Sequence, residues 1–241
     1  MTSALPDGYI DRDRGNWRVI APRLELGEME TLLDAVRQGN AGGEEVASGR
    51  GGARRIVLRG GKVVFVRKYL RGGLVRHLVR DRYLLRPPRP IRELIATESA
   101  RAAGCRVPIV HAVAIEERGL FYRGWIVTSA IESGRAYIDE FARSEPAARG
   151  ALLSAAGSAI RDLNDAGVYH PDLNGHNLRI DADGEVAIID FDRARIAAPR
   201  SHRLGEKGRD RFWRSLRKLT AERGLALDEH ERRWLERGYA R

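Results

Sequence analysis

The segment from Tyr169 to Asp192 constrains this chain more than any other. It reads Tyr-His-Pro-Asp-Leu-Asn-Gly-His-Asn over 169–177 and Val-Ala-Ile-Ile-Asp-Phe-Asp over 186–192. Upstream, Leu152, Ala155, Ile160 and Leu163 recur at helical spacing, predicting a helix over Pro146 to Asp165 that Ala166-Gly167 closes. Downstream lie two short strand-like runs, Asn177 to Ile180 and Glu185 to Ile189, joined by Asp181-Ala182-Asp183-Gly184. A hairpin there folds the start of one strand against the end of the other. At about 3.3 Å per residue, Asn177 and Asp190 then lie within roughly two residues of one level at the open end. Asp172, five residues before Asn177, sits on the loop leading to that end.

The spacing matches His-x-Asp-Leu-x-x-x-Asn followed by Asp-Phe after an apolar strand, the kinase pattern. Phosphoryl transfer needs a carboxylate at the attacking hydroxyl and oxygen ligands for a magnesium ion on the phosphates. Asp172 is the expected catalytic residue, and Asn177 and Asp190 the expected metal ligands. Each piece alone is weak. A lone His-Pro-Asp is usually a turn, and a lone Asp-Phe at a strand end means little. The Asp181-to-Gly184 stretch shares its opening with a calcium loop but lacks the later glutamate, so it reads as a turn. The helix, loop, hairpin and strand occurring together carry the reading. His170 is expected to hydrogen-bond nearby backbone, and the role of His176 stays open.

Before this segment the pattern is richer in strands. A helix is expected from Leu24 to Gln38, taken as the first ordered element. Strands follow at Arg55 to Leu58 and Val63 to Val66 around Gly60-Gly61, then at Ile109 to Ile115 and Leu120 to Ala130. Leu74 to Leu85 has one apolar helical face, and a further helix is expected from Ile91 to Ala103, stopping at Gly104. From about Gly205 onward the chain reads as helical. The expected fold class is α+β: a bilobal, protein-kinase-like fold with a cleft between the lobes. Residues 1–127 form an antiparallel-sheet lobe and 128–241 a mainly helical one, as one catalytic unit. Residues 169–177 form the catalytic loop and 185–192 the metal strand.

The first lobe should supply cover and a cation for the nucleotide. Gly49, Gly51 and Gly52 precede a strand, where glycines let backbone N–H groups approach phosphate oxygens. Arg67 and Lys68 both stand where kinases keep a phosphate-binding cation. Neighbours in a strand face opposite ways, so one of the two fills the role, and Glu93 is the expected partner of whichever points inward.

With these residues in view the chain resembles the bacterial 3-deoxy-D-manno-octulosonic acid (Kdo) kinases of the lipopolysaccharide kinase group. The resemblance runs from about Gly49 to the C-terminal helices. It rests on Arg67-Lys68-Tyr69-Leu70-Arg71-Gly72-Gly73-Leu74, Asp81-Arg82-Tyr83-Leu84, Arg92-Glu93-Leu94, the 170–177 loop and Asp190-Phe191-Asp192-Arg193. It implies transfer of the ATP γ-phosphate to the 4-hydroxyl of Kdo on the lipid A precursor, with ATP and Mg2+ as cofactors, in lipopolysaccharide inner-core biosynthesis. It also implies a cytoplasmic enzyme, peripheral on the inner-membrane face. Two departures stand out. The family often has Arg-His-Tyr where this chain has Arg67-Lys68-Tyr69. Asp192 replaces the glycine of the protein-kinase metal triplet, and no Ala-Pro-Glu segment follows, so a small or lipid-linked acceptor fits better than a peptide.

The formal charge of +10 agrees with anionic partners. From Arg67 to Arg92 there are eight arginines and one lysine against one acid. This basic segment, with Arg71, Arg76, Arg80 and Arg82, is expected near the anionic membrane surface or the lipid A head group. One cysteine, Cys105, excludes an internal disulfide and fits a reducing compartment, and no secretory signal or spanning run is seen. The rivals are a heptose or antibiotic kinase of the same fold and, outside enzymes, an RNA-binding protein. The latter draws on three Arg-Gly-Gly triplets, at 50–52, 59–61 and 71–73. These lie between strand and helix signals without interleaved aromatics, so no nucleic-acid partner is expected. Oligomeric state is not legible.

Overall fold

Gly60 and Gly61 both take positive φ, 89° and 84°, and close the hairpin their sequence announces. The computed structural model describes residues 4–40, 42–46, 53–70, 83–84, 88–131 and 134–240. They fall into two compact units, Met1–Ile95 with Ile109–Ala130, and Ala96–Pro108 with Ile131–Arg241.

The first unit is built on one antiparallel sheet. Its strands are β1 (Tyr9–Arg14), β2 (Trp17–Pro22), β3 (Glu44–Val46), β4 (Ala53–Val57), β5 (Val63–Lys68), β6 (Tyr83–Leu84), β7 (Val110–Arg118) and β8 (Phe121–Ser129). The order is β1-β2-β7-β8-β5-β4-β3, with β6 pairing the start of β8. Alternation along the strands separates two apolar layers. Val64, Val66, Trp17 and Trp125 pack with Met29 and Leu33 of α1 (Leu26–Arg37). Tyr69, Val113, Ile115 and Ile126 pack with Leu94 of α2 (Arg89–Ala102). The helix α2 ends where Gly104, at φ 88°, lets Cys105 N–H reach the Ala100 carbonyl at 3.0 Å.

Two expectations need correction. The first ordered element is not α1, because the β1–β2 hairpin precedes it, turning at Gly15 with φ 64°. The strand β1 is an edge strand with four exposed residues in a row, so it lacks the alternation that marks a half-buried strand. The helix expected over Leu74 to Leu85 lies outside the described residues as far as 82, and Tyr83–Leu84 is strand. Tyr83 stacks on Tyr122 at 5.4 Å and accepts a 3.0 Å hydrogen bond from Arg89, contacts that hold it flat on the sheet.

The second unit is mainly helical. It holds β9 (Arg135–Ala136), α3 (Tyr137–Arg143), α4 (Pro146–Asp165), β10 (Val168–Tyr169), β11 (Leu178–Ile180), β12 (Val186–Ile188), β13 (Arg195–Ile196), α5 (His202–Ala221) and α6 (Glu229–Ala240). The strands form two small antiparallel sheets, β12-β11-β9 and β10-β13. Leu153, Ile160 and Leu163 of α4 pack with Phe212, Trp213 and Leu216 of α5 and Leu235 of α6. Each large apolar side chain buried there stabilises the unit by about 1.5–3 kcal/mol. The chain is α+β, an antiparallel-sheet unit and a helical unit, as the sequence pattern indicates.

Candidate active site

The loop that follows α4 is fixed from both sides. Gly167 turns the chain at φ 68°, and Val168–Tyr169 pairs with Arg195–Ile196. His170 is buried, 1% exposed. Burial pushes its imidazole below the ordinary value, so the neutral ring donates Nε2–H to the Ile189 carbonyl at 3.3 Å. The edge of the same ring meets Phe191 at 5.2 Å between centroids. His170 thus ties the loop before Asp172 to the strand end before Asp190, the backbone role expected of it.

Asp172 is held by its main chain. Its carbonyl accepts from Asn174 Nδ2 and from Asn177 Nδ2, each at 2.9 Å. Asn174 also caps the short 3-10 turn Gly175–Asn177, its Oδ1 accepting from His176 N–H at 2.9 Å and Asn177 N–H at 3.2 Å. The buried Gly175 backs onto α3 and α5, where an added Cβ would lie 3.2 Å from Leu219. The half-buried Asp172 carboxylate accepts from Arg211 Nη2 of α5 at 2.8 Å.

Asn177 and Asp190 come together through the hairpin. Ile189 N–H donates to the Asn177 carbonyl at 2.9 Å, extending the Leu178–Ile188 pairing by one step. Asp190, the next residue, ends the strand in the left-handed conformation at φ 63°, and its side chain is exposed. Such a backbone costs an L-residue roughly 1–2 kcal/mol and is best tolerated by Asp and Asn. The Asn177 amide spends its N–H on Asp172, which leaves Oδ1 as an acceptor. An amide oxygen and a carboxylate are hard oxygen donors, the chemistry a magnesium ion on nucleotide phosphates takes. The connection between the two strands is an Asx turn. Asp181 Oδ1 accepts from Asp183 N–H and Glu185 N–H, and the cation at Asp181 is Arg106, at 2.5 Å.

In the first unit, strand alternation separates the two cations that the sequence left as alternatives. Arg67 Nη2 donates to Glu93 Oε1 at 2.6 Å and Oε2 at 2.7 Å, and the Tyr69 hydroxyl donates to the same carboxylate. The Arg67 guanidinium also lies 4.9 Å over the Tyr69 ring. Glu93 is 3% exposed, and a carboxylate so buried needs such partners. Lys68 points to the other face, 5.6 Å over the Trp125 ring. Gly49, Gly51 and Gly52 lie outside the described residues.

Two members of the constellation escape a sequence reading. Asn174 carries a readable signal, an Asn before a short turn, but one common to many loops. Arg211 carries none, because 39 residues separate it from Asp172 and α5 alone brings it there.

Comparison with known proteins identifies the family. The description of the Lipopolysaccharide kinase (Kdo/WaaP) family matches residues 37–236. Over 201 residues the chain is 36% identical to the 3-deoxy-D-manno-octulosonic acid kinase of Xanthomonas oryzae pv. oryzae (strain PXO99A), spanning 79% of this chain and 76% of that one. Over 230 residues it is 33% identical to the protein of the same name from Stenotrophomonas maltophilia (strain K279a), spanning 94% and 90%. A solved structure described as WaaP in complex with acyl carrier protein has a similar fold, with a TM-score of 0.62 at 17% identity, covering 86% of this chain and 81% of that one. On the family match and the two relatives, this chain belongs to the lipopolysaccharide kinase (Kdo/WaaP) family.

Proposed function

We propose that this chain is a 3-deoxy-D-manno-octulosonic acid kinase, a phosphotransferase that uses ATP and Mg2+ to phosphorylate the 4-hydroxyl of Kdo on the lipid A precursor during lipopolysaccharide biosynthesis. The observation that carries the reading is the tie between Asn177 and Ile189, which sets Asn177 and Asp190 at one hairpin end while Asn177 also holds Asp172. In this reading Asp172 orients the acceptor hydroxyl and takes its proton. Asn177 Oδ1 and the Asp190 carboxylate hold the magnesium ion, which when bound neutralises charge on the phosphates. Arg67, oriented by Glu93 and Tyr69, is the phosphate-binding cation, and Lys68 is not. Gly49, Gly51 and Gly52 cover the phosphates. The basic segment 67–92 places the enzyme on the anionic cytoplasmic face of the inner membrane, where the Kdo-lipid A precursor is met. Among the described residues no helix is long and apolar enough to cross a membrane.

The test is incubation with ATP, magnesium and Kdo-lipid A precursor, beside heptosylated core and aminoglycoside acceptors. Phosphate is expected on Kdo. Phosphate found only on a heptose, an aminoglycoside or a protein overturns the substrate assignment.

A further inference from the structure

The helix α5 presents Lys207, Arg211, Arg214 and Arg217 at steps of four, three and three residues, which sets all four on one stripe. With Arg232 of α6 they line a cavity of about 530 Å3. Its lining also includes Tyr169 and Pro171, of the loop leading into Asp172. The single acid in the lining, Asp210, is already paired with Arg232 at 2.9 Å. Among the described residues, Lys207, Arg214 and Arg217 have no ion-pair partner. Neighbouring cations on one helix face repel, so the stripe is costly unless an anion meets it. Solvated surface arginines are common, but solvation gives no reason for four cations to converge on a cavity beside the acceptor carboxylate.

Arg211 makes the connection specific. One of its N–H groups bonds Asp172 Oδ1 at 2.8 Å, and a guanidinium has four more to offer. An acidic group bound by those remaining donors lies next to the hydroxyl that Asp172 faces. We propose that this cavity is the acceptor-anion site. Arg211 bridges Asp172 to the carboxylate of the sugar being phosphorylated, while Lys207, Arg214 and Arg217 take phosphate of the attached lipid. The proposal rests on the Kdo-kinase reading, in which the carboxylate and the reacting hydroxyl sit a few bonds apart on one ring. It makes Arg211 a specificity residue for an acidic sugar, and it explains why the Asp172 carboxylate already touches a cation.

Two acceptors test it: Kdo-lipid A precursor and its Kdo methyl ester. Wild-type enzyme is expected to lose roughly 10-fold or more in kcat/KM on the ester, the usual scale for a charge-assisted hydrogen bond. Arg211→Gln is expected to be slow on both and to show no preference. Arg214→Gln with Arg217→Gln is expected to raise acceptor KM, with ATP KM unchanged, and to be insensitive to removal of the lipid phosphates. An Arg211→Gln enzyme, folded by circular dichroism, that still discriminates against the ester overturns the proposal. Calorimetric titration with Kdo monosaccharide, in the presence of a non-hydrolysable ATP analogue, separates the two readings. Equal binding by wild type and Arg211→Gln sinks the anion site. Binding lost in Arg211→Gln, beside turnover only on another sugar, sinks the Kdo-kinase assignment and leaves the site standing.

Discussion

At the scale of the residue, Asp172 is held by two kinds of bond with separate consequences. Its carbonyl is anchored by the Asn174 and Asn177 amides, and its carboxylate meets Arg211. Asp172→Asn keeps the first set and removes the carboxylate proposed to take the acceptor proton. We expect kcat to fall by about 10²–10⁴-fold with little change in melting temperature or ATP KM, checked by steady-state phosphate transfer and thermal unfolding. Near-normal turnover would contradict the assigned role. Cys105 illustrates burial acting on chemistry. Burial first, and then the nearby Asp162 charge, push its thiol up to about 11. A raised pKa keeps the thiol protonated at pH 8, so its reaction with a thiol reagent should be about two orders of magnitude slower in the native chain than in the unfolded one. The native rate should climb with pH until about 11. A native rate at pH 8 matching that of the unfolded chain would mean the site is open. That the loop and hairpin join Asp172, Asn177 and the strand end before Asp190 was legible, because the spacing is local. The choice between Arg67 and Lys68 was not, since alternation says only that they differ in face, and the position of Glu93 decides which face matters.

At the scale of the element, α4 was legible to its ends because both ends are encoded locally. Pro146 opens it at a position where its missing N–H costs nothing, and Gly167 supplies the left-handed turn after it. What α4 packs against was not legible. It crosses α6 so closely that a Cβ on Gly238 would lie 1.9 Å from the Ser154 carbonyl oxygen, and one on Gly157 2.2 Å from that of Leu235. Both obstacles are backbone, so the helices must separate to admit a methyl group. Gly238→Ala should therefore destabilise the unit by about 3 kcal/mol, read as a shift in denaturant midpoint. Gly205→Ala should cost less, because its nearest neighbour is the Tyr239 hydroxyl, the far end of a side chain. Equal effects from the two substitutions would show that the helix crossing yields more readily than the distances imply. The strand β1 was missed for the complementary reason: an exposed edge strand need not alternate, so periodicity has nothing to detect.

At the scale of the whole molecule, charge is the dominant property. A net charge of +10 and a pI near 10.3 predict attraction to anionic lipid. The chain should sediment with phosphatidylglycerol vesicles and not with neutral ones. Raising salt from about 0.1 M to about 1 M, which shortens the Debye length from roughly 10 Å to 3 Å, should release it. Charge reversal at Arg76 and Arg80 should weaken the binding, and unchanged sedimentation would exclude the 67–92 segment as the contact. By itself the sequence determined the α+β class, the loop over 169–177, the hairpin and the family resemblance, because each rests on residues near one another in the chain. Periodicity, capping and turn chemistry act over a few residues and can be read in order. Tertiary structure alone decided that Arg67 pairs with Glu93, that Gly238 must be glycine, and that Arg211 reaches Asp172 from α5. Those facts join residues tens of positions apart, and no local rule records which distant side chains a packed core will bring within a hydrogen bond of one another.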